Sequence, residues 1–158
     1  MSSGINITPI GEVKVENGQY SIVLKDKYIS GLKSIEGFSY LQIVWWGNLY
    51  DTPEARENLV LKKPYKKGPE EIGVFATRSP VRPNPILITT VYVSKLEIEK
   101  GIIQTPWIDA ENGTPILDIK PFHKNERMKD ISVPDWCNHW PEWYEDCGEF
   151  DWGQEFNF

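Results

Sequence analysis

A segment with three prolines among six consecutive residues constrains the fold of this chain more than any other feature. The segment covers residues 73–85 and reads Gly-Val-Phe-Ala-Thr-Arg-Ser-Pro-Val-Arg-Pro-Asn-Pro. Each proline fixes its own φ angle, removes a backbone N–H donor and restricts the preceding residue to extended conformations. The segment is therefore unsuited to a helix or to a central strand, and we predict a rigid loop.

The predicted loop carries side chains that suit an anionic or purine-bearing ligand. It offers two guanidinium groups, two hydroxyls and an amide, on Thr77, Arg78, Ser79, Arg82 and Asn84. Guanidinium groups match the geometry of carboxylate and phosphate, and the prolines lower the entropy that is lost when the loop is ordered. The alternative is a stiffened hairpin whose arginines pair with some of the chain's 23 acidic residues. Composition alone does not separate the two interpretations.

Short runs of β-branched and aromatic residues flank this loop and recur along the chain. Residues 72–75 precede the loop and residues 86–93 follow it, and residues 38–46 form the most apolar stretch, which predicts a central strand. Asn17 and Gly18 separate two further runs, so the first two strands are expected to pair as a hairpin. We predict a mainly β fold, a single-sheet β-barrel that is closed or partly closed, with a few short helices.

The last part of the chain differs in character from the rest. It is acidic and rich in tryptophan, with Trp136, Trp140 and Trp143 at helical spacing but Pro141 inside that stripe. Upstream, Thr52 and the proline after it predict the start of a short helix. We predict a barrel domain over residues 1–125 and an aromatic-rich extension over residues 126–158 that packs on the barrel or on a partner subunit.

Charge argues against a nucleic-acid partner in one respect and for one in another. The net charge of −6 has the wrong sign for binding nucleic acid through bulk electrostatics. Four lysines nevertheless cluster just before the proline-containing loop, at Lys62, Lys63, Lys66 and Lys67. This run is either a solvated surface or a set of phosphate contacts that orient a nucleic acid without reading its sequence.

Neither a membrane segment nor a metal is expected. No apolar run reaches the ~18 residues of a membrane span, and the first residues lack the features of a signal peptide, which predicts a cytoplasmic protein. Cys137, His139 and Cys147, with His123 further back, include metal-ligand residue types, but their spacing matches no standard zinc site. We therefore predict no metal and read these residues as part of a docked tail.

A second segment places two oppositely charged residues on a predicted strand. Residues 112–121 read Asn-Gly-Thr-Pro-Ile-Leu-Asp-Ile-Lys-Pro. On a strand, Asp118 and Lys120 lie on one face and Leu117 and Ile119 on the other. A structural ion pair and a catalytic role are both open for Asp118 and Lys120.

Both segments closely resemble the signatures of the TsaA/TrmO-like family of small S-adenosylmethionine-dependent methyltransferases that act on tRNA. The first keeps the family pattern without a gap through Ile86, and the resemblance covers residues 7–122. It implies a single-sheet β-barrel that binds S-adenosylmethionine near the interface of a homodimer. It also implies transfer of a methyl group to N6 of threonylcarbamoyladenosine, the modified purine beside the anticodon of certain tRNAs.

The resemblance also assigns residues to the site. Arg78 is expected to bind the cofactor or the substrate carboxylate and Arg82 an anion, while Asn84 shapes the loop and Asp118 acts near the amine. The implied catalytic residues are Arg78, Arg82, Asn84, Asp118 and Lys120, and the implied cofactor-binding residues are Asn48, Leu49, Arg78, Ile88, Pro106, Trp107, Ile108 and Asp109.

This chain departs from the family pattern at two places. Tyr40 and Asn48 stand where histidines are usual, and Leu87 replaces the glycine that follows Pro-Asn-Pro-Ile. Two alternatives therefore stay open. One is a non-catalytic module that binds S-adenosylmethionine or an adenosine-type ligand, and the other is a methyltransferase for another RNA or a small molecule.

Overall fold

The computed structural model describes residues 4–158, in which nine β-strands and one α-helix are connected by short 3-10 segments and loops. The strands are β1 (Gly11–Glu16), β2 (Gln19–Leu24), β3 (Tyr40–Trp46), β4 (Val60–Lys62), β5 (Glu71–Gly73), β6 (Ile86–Tyr92), β7 (Lys95–Glu97), β8 (Ile102–Thr105) and β9 (Pro115–Pro121). The one α-helix in this range is α1 (Pro53–Glu57), and short 3-10 segments such as Asp26–Leu32 connect other elements. The prediction of a mainly β fold with few short helices is confirmed. No helix within residues 4–158 combines the length and the apolar character needed to cross a bilayer.

Seven of the strands form one antiparallel sheet in the order β6-β3-β9-β1-β2-β8-β7. Strand β3 lies between β6 and β9, so the predicted central strand is confirmed. Strands β4 and β5 pair separately as a hairpin. In the described part of the chain, the two ends of the order, β6 and β7, do not pair with each other, so the predicted closure into a barrel is not confirmed.

Local turn and cap signals act as the sequence predicts. Asn17 and Gly18 have φ angles of 51° and 77°, and Glu16 pairs with Gln19 across the two-residue turn between β1 and β2. Positive φ at both central positions is what this hairpin turn requires. The hydroxyl of Thr52 accepts a hydrogen bond from the Ala55 N–H at 3.1 Å, which caps α1.

The core of the sheet is built on alternation along β3. Leu41, Ile43 and Trp45 are buried, and the Trp45 indole N–H donates to the Thr89 hydroxyl at 3.0 Å, so its polar atom is satisfied. The indole of Trp46, the next residue along β3, donates to Asp51 at 3.0 Å. Neighbouring tryptophans on opposite faces therefore serve different purposes, one in the core and one in fixing the chain after the strand.

The chain divides into two compact units. The sheet unit comprises residues up to Asp51 together with Asn84–Arg127 and contains the seven-stranded sheet. The loop unit comprises Thr52–Pro83 and Met128–Phe158, and it contains α1 and the β4–β5 hairpin.

Aromatic packing and backbone hydrogen bonds hold the loop unit together. Tyr65 is 8% exposed, and its ring stacks on Trp136 with centroids 4.9 Å apart. The Lys66 N–H donates to the Glu155 carbonyl at 2.9 Å, and the Asn157 N–H donates to the Pro64 carbonyl at 3.1 Å. The C-terminal segment therefore encloses the loop that follows β4.

The predicted helical stripe of the C-terminal segment forms only 3-10 turns. These turns cover Asp135–Cys137 and Tyr144–Gly148, with Pro141 between them. Proline lacks the N–H donor that an α-helix needs and its ring collides with the preceding turn. Trp136 and Trp140 still meet edge to face at 5.6 Å, so the aromatic contact survives without the helix.

Glu97, at the end of β7, gives the sheet unit a testable dependence on pH. Its carboxylate accepts hydrogen bonds from Lys100 at 2.6 Å and Lys95 at 2.9 Å, and these bonds lower its pKa from 4.5 to about 2. A lowered pKa stabilises the folded state above the ordinary value and loses that effect as the pH falls toward the folded value. We expect Glu97→Gln to flatten the fall in thermal midpoint between pH 4.5 and about 2.

Thermal unfolding followed by circular dichroism across that pH range checks this expectation. Glu99→Gln is the matched control, because Glu99 lies in the same turn and forms no ion pair with the described residues. Equal slopes for Glu97→Gln and the wild type would contradict it.

Candidate functional site

The proline-containing loop is held in shape by its own hydrogen bonds. The Arg82 guanidinium donates through one nitrogen to the carbonyls of Val74 at 2.9 Å and Thr77 at 3.1 Å. The Thr77 hydroxyl donates to the Val74 carbonyl at 2.8 Å and accepts from the Ser79 N–H at 3.1 Å. Arg82, for which the sequence predicts anion binding, therefore braces the backbone of the loop with one side of its guanidinium.

Arg78 contrasts with Arg82. Its side chain is exposed, and it forms no hydrogen bond or ion pair with the described residues. Buried Thr77 immediately precedes it, and Pro80 follows two residues later. The loop therefore holds an uncommitted guanidinium on a backbone whose conformation is fixed.

Asp118 and Lys120 form an ion pair on one face of β9, with Oδ2 and Nζ 2.7 Å apart. The second carboxylate oxygen of Asp118 accepts from the Ile119 N–H at 2.9 Å. The hydrogen bond to Asp118 raises the pKa of Lys120. Both side chains are about half exposed, at 49% and 61%, so the pair is accessible to a ligand.

A β-bulge sets the direction of Asp118. Along β3, Val44 pairs with Asp118 whereas the next residue, Trp45, pairs with Ile116, so Leu117 is the extra residue. From Asp118 to Lys120 the side chains therefore alternate between the two faces of the sheet. Leu117 interrupts this alternation. A bulge re-aims the side chains beside it and is common near functional sites.

Ile88, a predicted cofactor-binding residue, shares this face with Asp118. Val44 on β3 pairs with Ile88 of β6 on one side and with Asp118 of β9 on the other. Directly paired residues point to the same face of a sheet, and neighbouring strands are about 4.8 Å apart. Ile88 is 52% exposed, so this face of the sheet is accessible to solvent at β6, the first strand in the sheet order.

Asn48, Leu49 and Asn84 lie near the same end of β3 and β6. The Gly47 N–H donates to the Pro85 carbonyl at 2.7 Å, which joins the turn after β3 to the segment before β6. The Asn84 carbonyl accepts from the Ile86 N–H at 2.7 Å. Leu49 is 64% exposed. The structure thus brings together predicted residues that are far apart in the sequence.

A cleft of about 360 Å³ in the sheet unit contains most of the remaining predicted cofactor residues. Ile108 is buried and anchors its wall, while Trp107 is 51% exposed. Loss of solvation, and secondarily the charge of Glu111, raise the pKa of Asp109 although its side chain is exposed. The lining residues are Val15, Tyr20, Trp107, Ile108, Asp109, Ala110, Glu111 and Asn112.

The predicted residues fall into three groups. Residues 48, 49, 84, 88, 118 and 120 lie on β3, β6, β9 or the turns beside them. Residues 107–109 line the cleft after β8, and Pro106 precedes them in the chain. Arg78 and Arg82 belong to the loop unit. Sequence reasoning missed Tyr20 and Asn112 as cleft residues. A detectable signal was the Asn112-Gly113 turn, whose Asn112 side chain accepts from the Val15 N–H at 2.9 Å.

The metal-ligand residue types of the C-terminal segment are engaged in other contacts. Cys137 donates to the Pro134 carbonyl at 3.3 Å, and His139 lies 2.8 Å from the Glu155 carboxylate. Over residues 4–158, no three His, Cys, Asp or Glu side chains are grouped as metal ligands.

The loop unit thus offers an exposed arginine on a braced loop, and the sheet unit offers a cleft with aromatic and acidic walls. The family model of the tRNA-methyltransferase O N-terminal domain matches residues 4–126, and the chain belongs to this family. The family predicted from the sequence is confirmed.

Curated relatives agree with the predicted enzyme class and cofactor. A probable S-adenosyl-L-methionine-binding protein of Pyrococcus horikoshii is 39% identical over 118 residues, which cover 73% of this chain and 81% of the relative. The tRNA (adenine(37)-N6)-methyltransferase of Escherichia coli is 32% identical over 114 residues, which cover 71% of this chain and 48% of that enzyme. The chain thus corresponds to about half of the E. coli protein.

Solved structures show the same fold. The crystal structure of TrmO from Pseudomonas aeruginosa has a TM-score of 0.64 at 21% identity, and the match covers 85% of this chain and 62% of that chain. At this identity the likeness concerns the fold alone, and this chain spans less than two thirds of the solved one.

Proposed function

We propose that this protein transfers a methyl group from S-adenosylmethionine to N6 of threonylcarbamoyladenosine beside the anticodon of tRNA. The observation that carries the proposal is the exposed guanidinium of Arg78, which forms no ion pair or hydrogen bond with residues 4–158, on a loop braced by Arg82. Threonylcarbamoyladenosine carries a carboxylate, which a guanidinium binds with two parallel hydrogen bonds. The relative from E. coli, whose name is tRNA (adenine(37)-N6)-methyltransferase, supports the choice of substrate.

The cleft beside Trp107 fits the proposed cofactor. Its volume of about 360 Å³ lies within the range of small-molecule sites. The half-exposed indole of Trp107 suits a cation or a base, and the carboxyl groups of Asp109 and Glu111 suit the cationic ammonium and sulfonium groups. S-adenosylmethionine supplies an electrophilic methyl group when it is bound.

The chain's own residues have separate tasks in this proposal. Arg78 binds the substrate carboxylate and so orients the nucleoside. Arg82 holds the loop backbone, and the amide of Asn84 contributes to recognition. Asp118 accepts a hydrogen bond from the N6–H and takes up that proton as the nitrogen is methylated, while the ion pair with Lys120 orients the carboxylate.

We also propose that the protein acts as a homodimer in the cytoplasm. The exposed apolar residues of β6 support the dimer: Ile86, Ile88 and Tyr92 are 38%, 52% and 45% exposed. An apolar strand face at the end of a sheet order is a suitable surface for a second copy.

A methyl-transfer assay tests the proposed function. Purified protein is mixed with S-adenosylmethionine labelled in its methyl group and with total tRNA that carries or lacks the threonylcarbamoyl modification. Label is expected only in the nucleoside derived from threonylcarbamoyladenosine. Cofactor binding in calorimetry without any labelled nucleoside would instead indicate a binding module, and label in another nucleoside would indicate another RNA substrate.

A further inference from the structure

An exposed apolar shelf lies where the β4–β5 hairpin passes into the proline-containing loop. Along residues 71–75 exposure alternates, because Ile72 and Val74 are 6% and 1% exposed whereas Glu71, Gly73 and Phe75 are exposed. Gly73 and Phe75 are thus both exposed, on either side of buried Val74, where β5 passes into a 3-10 turn. The Phe75 ring is 80% exposed, although phenylalanine is usually buried.

Gly73 has no role in folding that requires glycine. Its φ and ψ angles of −64° and 140° are ordinary for a strand, and an added Cβ would meet only the Leu59 carbonyl, at 4.0 Å. Glycine in a strand loses more conformational entropy than other residues and packs no side chain. The missing side chain instead leaves bare backbone beside Phe75, which permits the close approach of a flat ligand.

The backbone under Phe75 is fixed. Phe75 is the central residue of the 3-10 turn Val74–Ala76, and the carbonyl of Val74 accepts hydrogen bonds from the Arg82 guanidinium and the Thr77 hydroxyl. An aromatic ring on a rigid turn stacks on a ligand at a low cost in entropy. We define the shelf as Gly73, Phe75 and Val60, since Val60 pairs with Gly73 and is 50% exposed.

The charges around the shelf favour a nucleic acid. Lys62 lies on β4 opposite Glu71, and Arg78 follows Phe75 by three residues. Neither Lys62 nor Arg78 forms an ion pair or hydrogen bond with the described residues. Two cations that form no ion pair with the described residues thus belong to the hairpin and loop that carry the exposed ring. Aromatic rings beside basic side chains are the means by which proteins bind unpaired bases and the adjacent phosphates.

We propose that the shelf of Gly73, Phe75 and Val60 stacks an unpaired RNA base, contributed by the anticodon loop of the tRNA substrate. This inference rests on the proposed function for the identity of the RNA. Phe75 supplies the stacking surface, and the absence of a side chain on Gly73 leaves room for the base to approach the backbone. Lys62 attracts the neighbouring phosphates, while Arg78 stays on the substrate carboxylate.

Fluorescence anisotropy with a labelled anticodon stem-loop RNA at fixed salt tests the shelf in the full-length chain. Phe75→Ala is expected to weaken binding about tenfold, which is the loss of one base–aromatic stack, and Phe75→Trp is expected to retain it. Gly73→Ala is expected to weaken binding without lowering the thermal midpoint, because the extra methyl group fits the fold but obstructs the base. The proposal therefore predicts a loss of RNA affinity without a fall in the thermal midpoint.

Two controls match these variants within the loop unit. Gly148→Ala alters a glycine whose added Cβ also meets open space, and Phe158→Ala removes a ring that is 94% exposed. Both are expected to bind the RNA as the wild type does.

Several results would overturn the inference. Unchanged RNA affinity in Phe75→Ala and Gly73→Ala would refute the shelf. Loss of self-association in Phe75→Ala, with retention in Phe75→Leu, would show that the ring docks on a second copy. Weaker S-adenosylmethionine binding in calorimetry, with normal RNA binding, would assign the ring to the cofactor.

The proposed function and the shelf fail in different ways. Wild-type protein that binds the RNA through Phe75 but methylates no nucleoside would refute the function and keep the shelf. Wild-type methyl transfer with shelf variants that bind RNA normally would refute the shelf alone, and a wild type that binds no RNA would refute both.

Discussion

Arg78→Ala is expected to reduce methyl transfer to tRNA by about 100-fold or more while the thermal unfolding midpoint stays unchanged. The guanidinium of Arg78 forms no hydrogen bond or ion pair with the described residues that folding would lose. In the proposed complex it binds the substrate carboxylate, so its removal leaves that charge without its partner. The measurements are the initial rate of label transfer from S-adenosylmethionine and a thermal melt of the same sample.

Comparing Arg82→Ala with Arg78→Ala distinguishes a residue that stabilises the loop from one that contacts the ligand. Its guanidinium satisfies the carbonyls of Val74 and Thr77, so alanine is expected to reduce both activity and the free energy of unfolding, the latter by about 1–3 kcal/mol. A lower melting midpoint in Arg78→Ala, or full activity in that variant, would contradict the distinction. Arg78→Lys, which keeps the charge but not the planar fork, is expected to recover only part of the activity.

Tyr65→Ala is expected to lower the free energy of unfolding by about 3–5 kcal/mol, a large part of the 5–15 kcal/mol typical of a domain. Tyr65 is buried, and its ring contacts Trp136 at 4.9 Å, Trp140 at 5.4 Å and Phe156 at 5.7 Å. Alanine leaves a cavity among rings that belong to two distant parts of the chain. Urea unfolding monitored by tryptophan fluorescence reports on this cluster.

Tyr65→Phe is the control for the aromatic ring. The Tyr65 hydroxyl has no hydrogen-bond partner among residues 4–158, so phenylalanine is expected to change the stability by less than about 1 kcal/mol. A small effect of Tyr65→Ala, comparable with that of Tyr65→Phe, would show that the C-terminal segment does not depend on this contact.

Local signals in the sequence predicted local structure. Asn17 and Gly18 gave the hairpin turn, Thr52 gave the helix cap, and the apolar run of β3 gave a central strand, since each depends on residues close in the chain. The order of the strands depends on contacts between distant residues. No pattern in the sequence indicated that β9 lies between β3 and β1, or that Thr52–Pro83 packs with Met128–Phe158.

In the candidate site too, the sequence predicted local features but not those that depend on the folded structure. The proline spacing indicated a rigid loop with arginines, but it did not predict that Arg82 braces the backbone while Arg78 stays exposed. Their difference arises from the carbonyls that the folded loop turns toward Arg82. Likewise, alternation predicted the shared face of Asp118 and Lys120, while the bulge at Leu117 depends on the partner strand β3.

The enclosure of the loop after β4 by the C-terminal segment has a consequence for synthesis on the ribosome. Residues 63–68 emerge long before their partners Glu155, Phe156 and Asn157. Contacts of such large separation in sequence form late, and a ribosome adds only about 5–20 residues per second. Residues 63–68 therefore stay without these partners for several seconds of translation. The hydrogen bonds that brace the arginine loop lie within residues 74–82, so that loop does not depend on the last residues to be synthesised.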